Sequence, residues 1–249
     1  MAQSTQGRAA RMHPSATRRR YSGMDRAISR RAALLMASSF TAACLPRRAA
    51  AATMPGVPQT GVLAFKVLRG ASPIGTQRLT FTANGAALSV RVAADFVVRF
   101  GPIVFFRYRL RVAEEWEGGV LQRVRATADN DGKAEFMRAQ RQGDALMVDG
   151  SASGRYRAPP GAITATHWNR AELAGPMIDP QNGKLLDFKI GPAMAGAIAD
   201  AAGAMQKATR YDLTGPTRMS LYYDAASVWC GLDAVAKDDS LIHYRRMAE

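Results

Sequence analysis

The stretch that decides the fold is LSVRVAADFVVRF (residues 88–100), followed by GP (101–102) and IVFFRYRLRV (103–112). Leu88, Val90, Val92, Ala94, Phe96, Val98 and Phe100 recur at every second position, with Ser89, Arg91, Asp95 and Arg99 between them. Successive side chains of an extended chain point to opposite sides, so this alternation describes a strand with one face buried and one in water. Gly101-Pro102 interrupts the run. Val104, Phe106, Tyr108, Leu110 and Val112 then resume it, with Phe105, Arg107, Arg109 and Arg111 opposite. Two long strands joined by a tight turn make an antiparallel hairpin.

Shorter runs flank the hairpin at Val62–Arg69, Gln77–Ala83, Val120–Ala128, Lys133–Gln142 and Ala145–Val148. Between them lie Ala83-Asn84-Gly85, Glu117-Gly118-Gly119, Asn130-Asp131-Gly132 and Gln142-Gly143-Asp144, compositions that tolerate positive φ and so make turns. The spacing predicts a meander of antiparallel strands whose apolar face must be covered. The second half is broken by Pro159-Pro160-Gly161, Gly175-Pro176, Gly191-Pro192 and Gly215-Pro216, so it carries shorter elements. Pro192 opens an Ala-rich stretch to about Ala208 in which Met194, Ile198, Ala201 and Met205 fall at helical spacing. Strands return at Ala208–Leu213, Arg218–Asp224, Ser227–Leu232 and Ser240–Arg246. The expected fold is mainly β: a curved antiparallel sheet closing into a clam or barrel, with one Ala-rich helix covering or capping it. It forms a single domain over residues 53–249.

Residues 1–52 read differently. Ser29-Arg30-Arg31, the uncharged run Ala32–Leu45 and the small residues Ala50-Ala51-Ala52 have the layout of a twin-arginine export leader, with the segment before it a disordered basic extension. Met24, a few residues before the arginine pair, is an alternative start. Two processing routes fit. Cleavage after Ala52 would release a chain starting at Thr53 into the periplasm; lipidation at Cys44 would anchor it, although Thr41 stands where such sites usually carry a larger aliphatic residue. The leader also holds ten of the 34 basic groups and one of the 20 acidic ones. The remaining chain, with 24 against 19, has an ordinary surface charge, so the high pI is no argument for nucleic-acid binding. No apolar run after Thr53 is long enough for a transmembrane span. Of Cys44 and Cys230, only the second survives cleavage after Ala52, which rules out an internal disulfide framework.

The order of Pro73-Ile74-Gly75, Trp116 with Gly118-Gly119 and Leu121, Thr127-Ala128-Asp129-Asn130-Asp131-Gly132, Trp168-Asn169, Asn182-Gly183-Lys184-Leu185, Arg210-Tyr211-Asp212-Leu213-Thr214-Gly215 and Asp238-Asp239-Ser240-Leu241-Ile242-His243-Tyr244 resembles an uncharacterised exported domain family of Gram-negative bacteria. The resemblance covers essentially all of residues 53–249. It implies a curved antiparallel sheet and carries no established activity. Asp239 stands where the resemblance leads one to expect a turn glycine.

Chemistry-bearing constellations are sparse. A metal site needs three or four convergent ligands, and His167, His243 and Cys230 are far apart in sequence. The turn around Asp129, Asp131 and Gly132 fails the calcium-loop template, with Thr127 in the first ligand position and Arg138 in place of the closing Glu. No nucleophile elbow, Walker loop or dinucleotide glycine fingerprint occurs, and no cofactor signature accompanies the leader. Cys230, beside Trp229 and Leu232, reads as a core thiol. Glu114 and Glu115 are consecutive on a strand, face opposite ways and cannot flank one bond; they are expected to balance the arginine-rich strand. Arg107, Arg109 and Arg111 form a row that is either a solvated face laddered with Asp95, Glu114 or Glu135, or the lining of an anionic ligand site. His167-Trp168-Asn169 follows a proline turn and is either a staple for its loop or a ligand lid.

The functional expectation is a noncatalytic envelope protein that binds an apolar or amphipathic molecule, such as a lipid, in the sheet's concavity, or that supports envelope structure. Its candidate contacts are Arg107, Tyr108, Arg109, Trp116, His167, Trp168 and Asn169, and its other partner is the twin-arginine export machinery. The alternative is a periplasmic hydrolase-like enzyme in which His167, Asn169 and a carboxylate converge.

Overall fold

The computed structural model describes residues 54–248, so the twin-arginine leader (Ser29, Arg30, Arg31) and Cys44 lie outside the described residues. The chain begins with a meander: β1 (Val62–Arg69), β2 (Ser72–Asn84), β3 (Ala87–Phe100), β4 (Ile103–Glu117), β5 (Val120–Asn130), β6 (Lys133–Gln142), β7 (Ala145–Gly150) and β8 (Gly154–Arg157). Each strand pairs antiparallel with the next. The period-two residues of the central hairpin are register partners, with Val92 opposite Val112 and Ala94 opposite Leu110. All four are buried.

Short strands follow at β9 (Ile163–Thr164), β10 (Met177–Ile178) and β11 (Leu185–Leu186), which form a separate three-stranded sheet, and a 3-10 turn spans Arg170–Ala174. The chain then returns to the main sheet through β12 (Lys189–Ile190), β13 (Met194–Ala199), β14 (Met205–Thr214), β15 (Arg218–Tyr223), β16 (Trp229–Val235) and β17 (Leu241–Arg246). β17 pairs with β1, which joins the two halves into one continuous sheet of fourteen strands among the described residues. Its order runs from β12 to β8, and these end strands do not pair, so the sheet curls without closing. Phe65 of β1 packs against Trp229 of β16 with the rings tilted and 4.2 Å apart, and Phe81 of β2 meets the Trp168 ring edge-on at 5.4 Å. One apolar core therefore runs under both halves.

Two sequence expectations need correction. The sheet is not a closed barrel, and the Ala-rich stretch from Pro192 is not a helix but the β13–β14 hairpin, with Met194 opposite Arg210 and Ala199 opposite Met205. Met194 and Ile198 lie four apart, a spacing that fits both the helical period and the strand period. Three local features favour the strand. The Asp200 carboxylate accepts the N–H groups of Ala202 at 2.8 Å and Ala204 at 2.9 Å. Gly203 takes φ +91° in the same turn. Helix would forfeit about 1 kcal/mol at each of Gly196 and Gly203, while the strand gains a ladder along β14. Asp239, in place of the expected turn glycine, adopts φ +62° itself, a conformation Asp tolerates.

The interior is therefore occupied by residues 158–191 instead of a helix. Ala162, Thr164, Thr166, Trp168, Met177 and Ile178 of this segment are all buried. At one crossing it lies so close to the sheet that only glycine fits: a Cβ on Gly150 would come within 2.2 Å of the Asn182 carbonyl oxygen.

Candidate functional site

Alternation along β4 puts Leu110, Val112, Glu114 and Trp116 on the buried face. Glu114 is fully buried. Its Oε2 accepts the indole N–H groups of Trp116 at 3.0 Å and Trp168 at 2.9 Å, and its Oε1 accepts the hydroxyls of Thr164 and Thr166, the latter at 2.8 Å. Burial raises this carboxyl's pKa and outweighs the lowering by the four donors. Glu114 thus ties the inserted segment to the sheet and does not balance the arginine strand. Glu115, on the opposite face, pairs with Arg123 of β5 at 2.9 Å and likewise leaves the arginine row of β4 to other partners.

A second carboxylate, that of Glu172, is also fully buried. It accepts the backbone N–H of His167 at 3.1 Å and sits 2.8 Å from its Nδ1. The Tyr223 hydroxyl donates to the His167 carbonyl at 2.9 Å. These contacts hold His167 at φ +67°, a left-handed conformation that non-glycine residues seldom adopt. His167 then lines an inner chamber of about 280 Å³ with Gln77, Phe96, Tyr108, Thr166, Asp179, Met219, Leu232 and Tyr244. Residues of β3 and β4 here face residues of β15 and β16, so the chamber is the hollow of the curled sheet.

Phe96, Tyr108 and Tyr244 also wall an adjoining outer chamber of about 580 Å³, with Ile74, Val98, Phe105, Phe106 and Ile242 and with Arg69, Lys237 and Asp238. Arg69 and Asp238 form an ion pair. The three shared rings are packed together: Phe96 stacks on Tyr108 at 5.5 Å and meets Tyr244 edge-on at 5.9 Å. Burial pushes both tyrosine pKa values upward, so their hydroxyls stay protonated and can donate. Burial, followed by the Glu135 charge, raises the Asp179 carboxyl against the bond from the Gln181 backbone. The concavity thus runs from an aromatic and aliphatic outer part to an inner end bearing hydroxyls, an imidazole and a carboxyl. It can take an elongated apolar group with a polar end that is neutral or cationic, because an anionic end would meet Asp179.

Of the seven candidate contacts, only Tyr108 and His167 line this concavity. Trp116 and Trp168 are buried in the Glu114 knot, with their rings 5.3 Å apart. The Asn169 side chain accepts from Ala171 N at 3.0 Å and caps the 3-10 turn. Arg107 and Arg109 stand exposed on the outer face, where Asp95 pairs with Arg109 at 3.3 Å and with Arg111 at 2.8 Å. The expected ladder therefore runs through Asp95; Glu135 instead bonds Lys133 at 2.8 Å and the Gln181 amide. Cys230 is buried, and burial pushes its thiol up to about 11. Among the described residues, no three His, Cys, Asp or Glu side chains converge as a metal site, and no helix is long and apolar enough to cross a membrane.

Sequence reasoning missed Glu114 as a hub, although its place between Val112 and Trp116 in the alternation pointed inward. Glu172, Asp179 and Tyr244 had no such signal, since their roles depend on contacts across the fold.

Residues 65–247 match a family described as a domain of unknown function, DUF6134. The chain belongs to that family. Among solved structures it is similar to a beta-barrel-like protein of another domain of unknown function, DUF1849, from Brucella abortus, with 8% identity and a TM-score of 0.52 over 75% of this chain and 94% of that one. At that identity the likeness shows the fold alone. A search of curated proteins returned no match.

Proposed function

We propose that this is an exported, noncatalytic binding protein that takes up an amphipathic envelope molecule, with its apolar part against Phe96, Val98 and Phe106 and its neutral or cationic polar end near Tyr108 and Asp179. The observation that carries this reading is the concavity's polarity gradient: three shared aromatic rings separate an apolar outer chamber from a hydrogen-bonding inner one. Water held against such a lining is released when an apolar chain enters, which favours binding in proportion to the area covered. The hydrolase reading loses support on geometry, since Asn169 is engaged as a cap and Glu114 is enclosed by four donors.

The test is fluorescence titration with the neutral apolar probe N-phenylnaphthylamine. Wild type should bind it, and Val98→Trp, which fills the outer chamber, should weaken binding ~tenfold or more by removing apolar contact. Unchanged binding by Val98→Trp would remove the concavity from consideration. Export through the twin-arginine route to the periplasm belongs to the same proposal. Replacing Arg30 and Arg31 with lysines should hold the chain in the cytoplasm, and the mass of the mature protein should match a start at Thr53, as opposed to an acylated Cys44.

A further inference from the structure

The β3–β4 hairpin is longer than the sheet that supports it. β2 pairs with β3 only as far as Phe96, and β5 pairs with β4 only from Tyr108. Residues 97–107 therefore pair only with each other in the main-sheet ladder, with Val98 opposite Phe106 and Phe100 opposite Ile103. They form a two-stranded arm running ~13 Å past the last residues that pair with it, at about 3.3 Å per residue. Its end is apolar and in water: Phe100 is 82% exposed, Phe105 76% and Ile103 64%. Scattered apolar side chains on a surface need no explanation, but three within six residues at a projecting tip do.

The cations of the arm are placed in register with that tip. Arg99 precedes Phe100, and Arg107, Arg109 and Arg111 descend the outer face of β4 at every second residue behind Phe105. Asp95 answers Arg109 and Arg111, and the Asp131 carboxylate accepts the Arg107 backbone N–H. Neither the Arg99 nor the Arg107 guanidinium forms an ion pair with any described residue. We propose that the arm docks the protein onto an anionic lipid bilayer, with Phe100, Ile103 and Phe105 entering the interface and Arg99 and Arg107 meeting lipid phosphates. The spacing suits that layering, since Phe105 and Arg107 are separated by ~7 Å of strand, comparable to the 5–10 Å over which interfacial elements sink below the headgroups. The open edges of the ribbon, with unpaired backbone N–H and C=O groups, limit insertion to the tip, because such groups are costly in hydrocarbon. Phe105 also edges the outer chamber, but Phe100 and Ile103 do not, and the inference does not depend on a ligand within the concavity.

The experiment is co-sedimentation of the purified chain with vesicles of mixed phosphatidylethanolamine and phosphatidylglycerol, compared with phosphatidylcholine alone. Wild type should bind the anionic vesicles and be released at ~1 M salt, where the screening length falls to about 3 Å. Phe100→Ser combined with Ile103→Ser should reduce partitioning ~tenfold or more by the loss of buried apolar area. These two residues do not line the concavity, so N-phenylnaphthylamine binding should be retained and folding can be checked by circular dichroism. Arg99→Gln combined with Arg107→Gln should weaken binding to anionic vesicles only. Phe100→Trp should show an indole emission that shifts to the blue on anionic vesicles. A water-like emission there, equal binding to both vesicle types, or a tip-dependent dimer in sedimentation without vesicle binding would each overturn the proposal.

Discussion

The two ends of the β3–β4 pair are built from one alternating pattern and meet opposite fates. Towards Trp116 the inner face is sealed by residues 158–191, which reach Glu114 with two hydroxyls and an indole. Towards Phe106 no inserted segment crosses, and the same face becomes the wall of an open apolar chamber. The difference shows where this fold is tied together and where it keeps unfilled space: no described buried side-chain polar atom lacks a partner, and at the sealed end one carboxyl group gathers four donors.

Breaking the sealed end should have the largest effect. Glu114→Ala would leave two indole N–H groups and two hydroxyls buried without their acceptor, and should lower unfolding stability by about 4 kcal/mol or more in urea titrations. Glu114→Gln is milder, about 1 kcal/mol, because its carbonyl can face the indoles while its amide donates to the threonines. This variant also isolates a pH dependence. With its pKa raised by burial, the carboxyl is neutral in both folded and unfolded chains under acidic conditions. As pH climbs above the ordinary carboxyl value, the unfolded chain ionises first and stability falls until the folded-state pKa is passed. Wild type should therefore lose stability relative to Glu114→Gln over that window, and parallel melting curves across it would contradict the assigned burial.

Gly150→Ala comes next, since its Cβ would collide with the backbone of Asn182 and push the inserted segment off the sheet, at a cost of about 2 kcal/mol in thermal unfolding. Tyr223→Phe, which removes the hydroxyl that holds the strained His167 carbonyl, should cost about 1 kcal/mol. At the open end the sign of the comparison changes. Val98→Trp should alter stability by no more than about 0.5 kcal/mol, as a half-buried site free to accommodate volume, while abolishing most probe binding. A loss of several kcal/mol there would mean that the two ends do not differ as described.

Much of the architecture was readable beforehand. β1 and β6 coincide with the runs Val62–Arg69 and Lys133–Gln142, and the turns at Asn84-Gly85, Gly118-Gly119 and Asp131-Gly132 all carry positive φ among the described residues. The β13–β14 hairpin was misread because alanine and a four-residue apolar spacing suit both periods. The site was less legible than the fold. Tyr108 and His167 line the concavity, whereas Trp116 is an interior tie, and Trp168 and Asn169 follow the loop-staple alternative, one buried and the other capping the 3-10 turn.

Period-two hydrophobicity, turn residues and the arginine row are properties of neighbouring positions, and they alone were enough to specify an extended, one-sided, antiparallel meander. Which strands meet at the seam between β17 and β1, which segment fills the hollow, and which carboxylate lies beneath two indoles depend on contacts between residues fifty or more positions apart. Those contacts arise only when the sheet curls, because curvature brings the two halves of its apolar face within reach of each other, and no local periodicity encodes that distance.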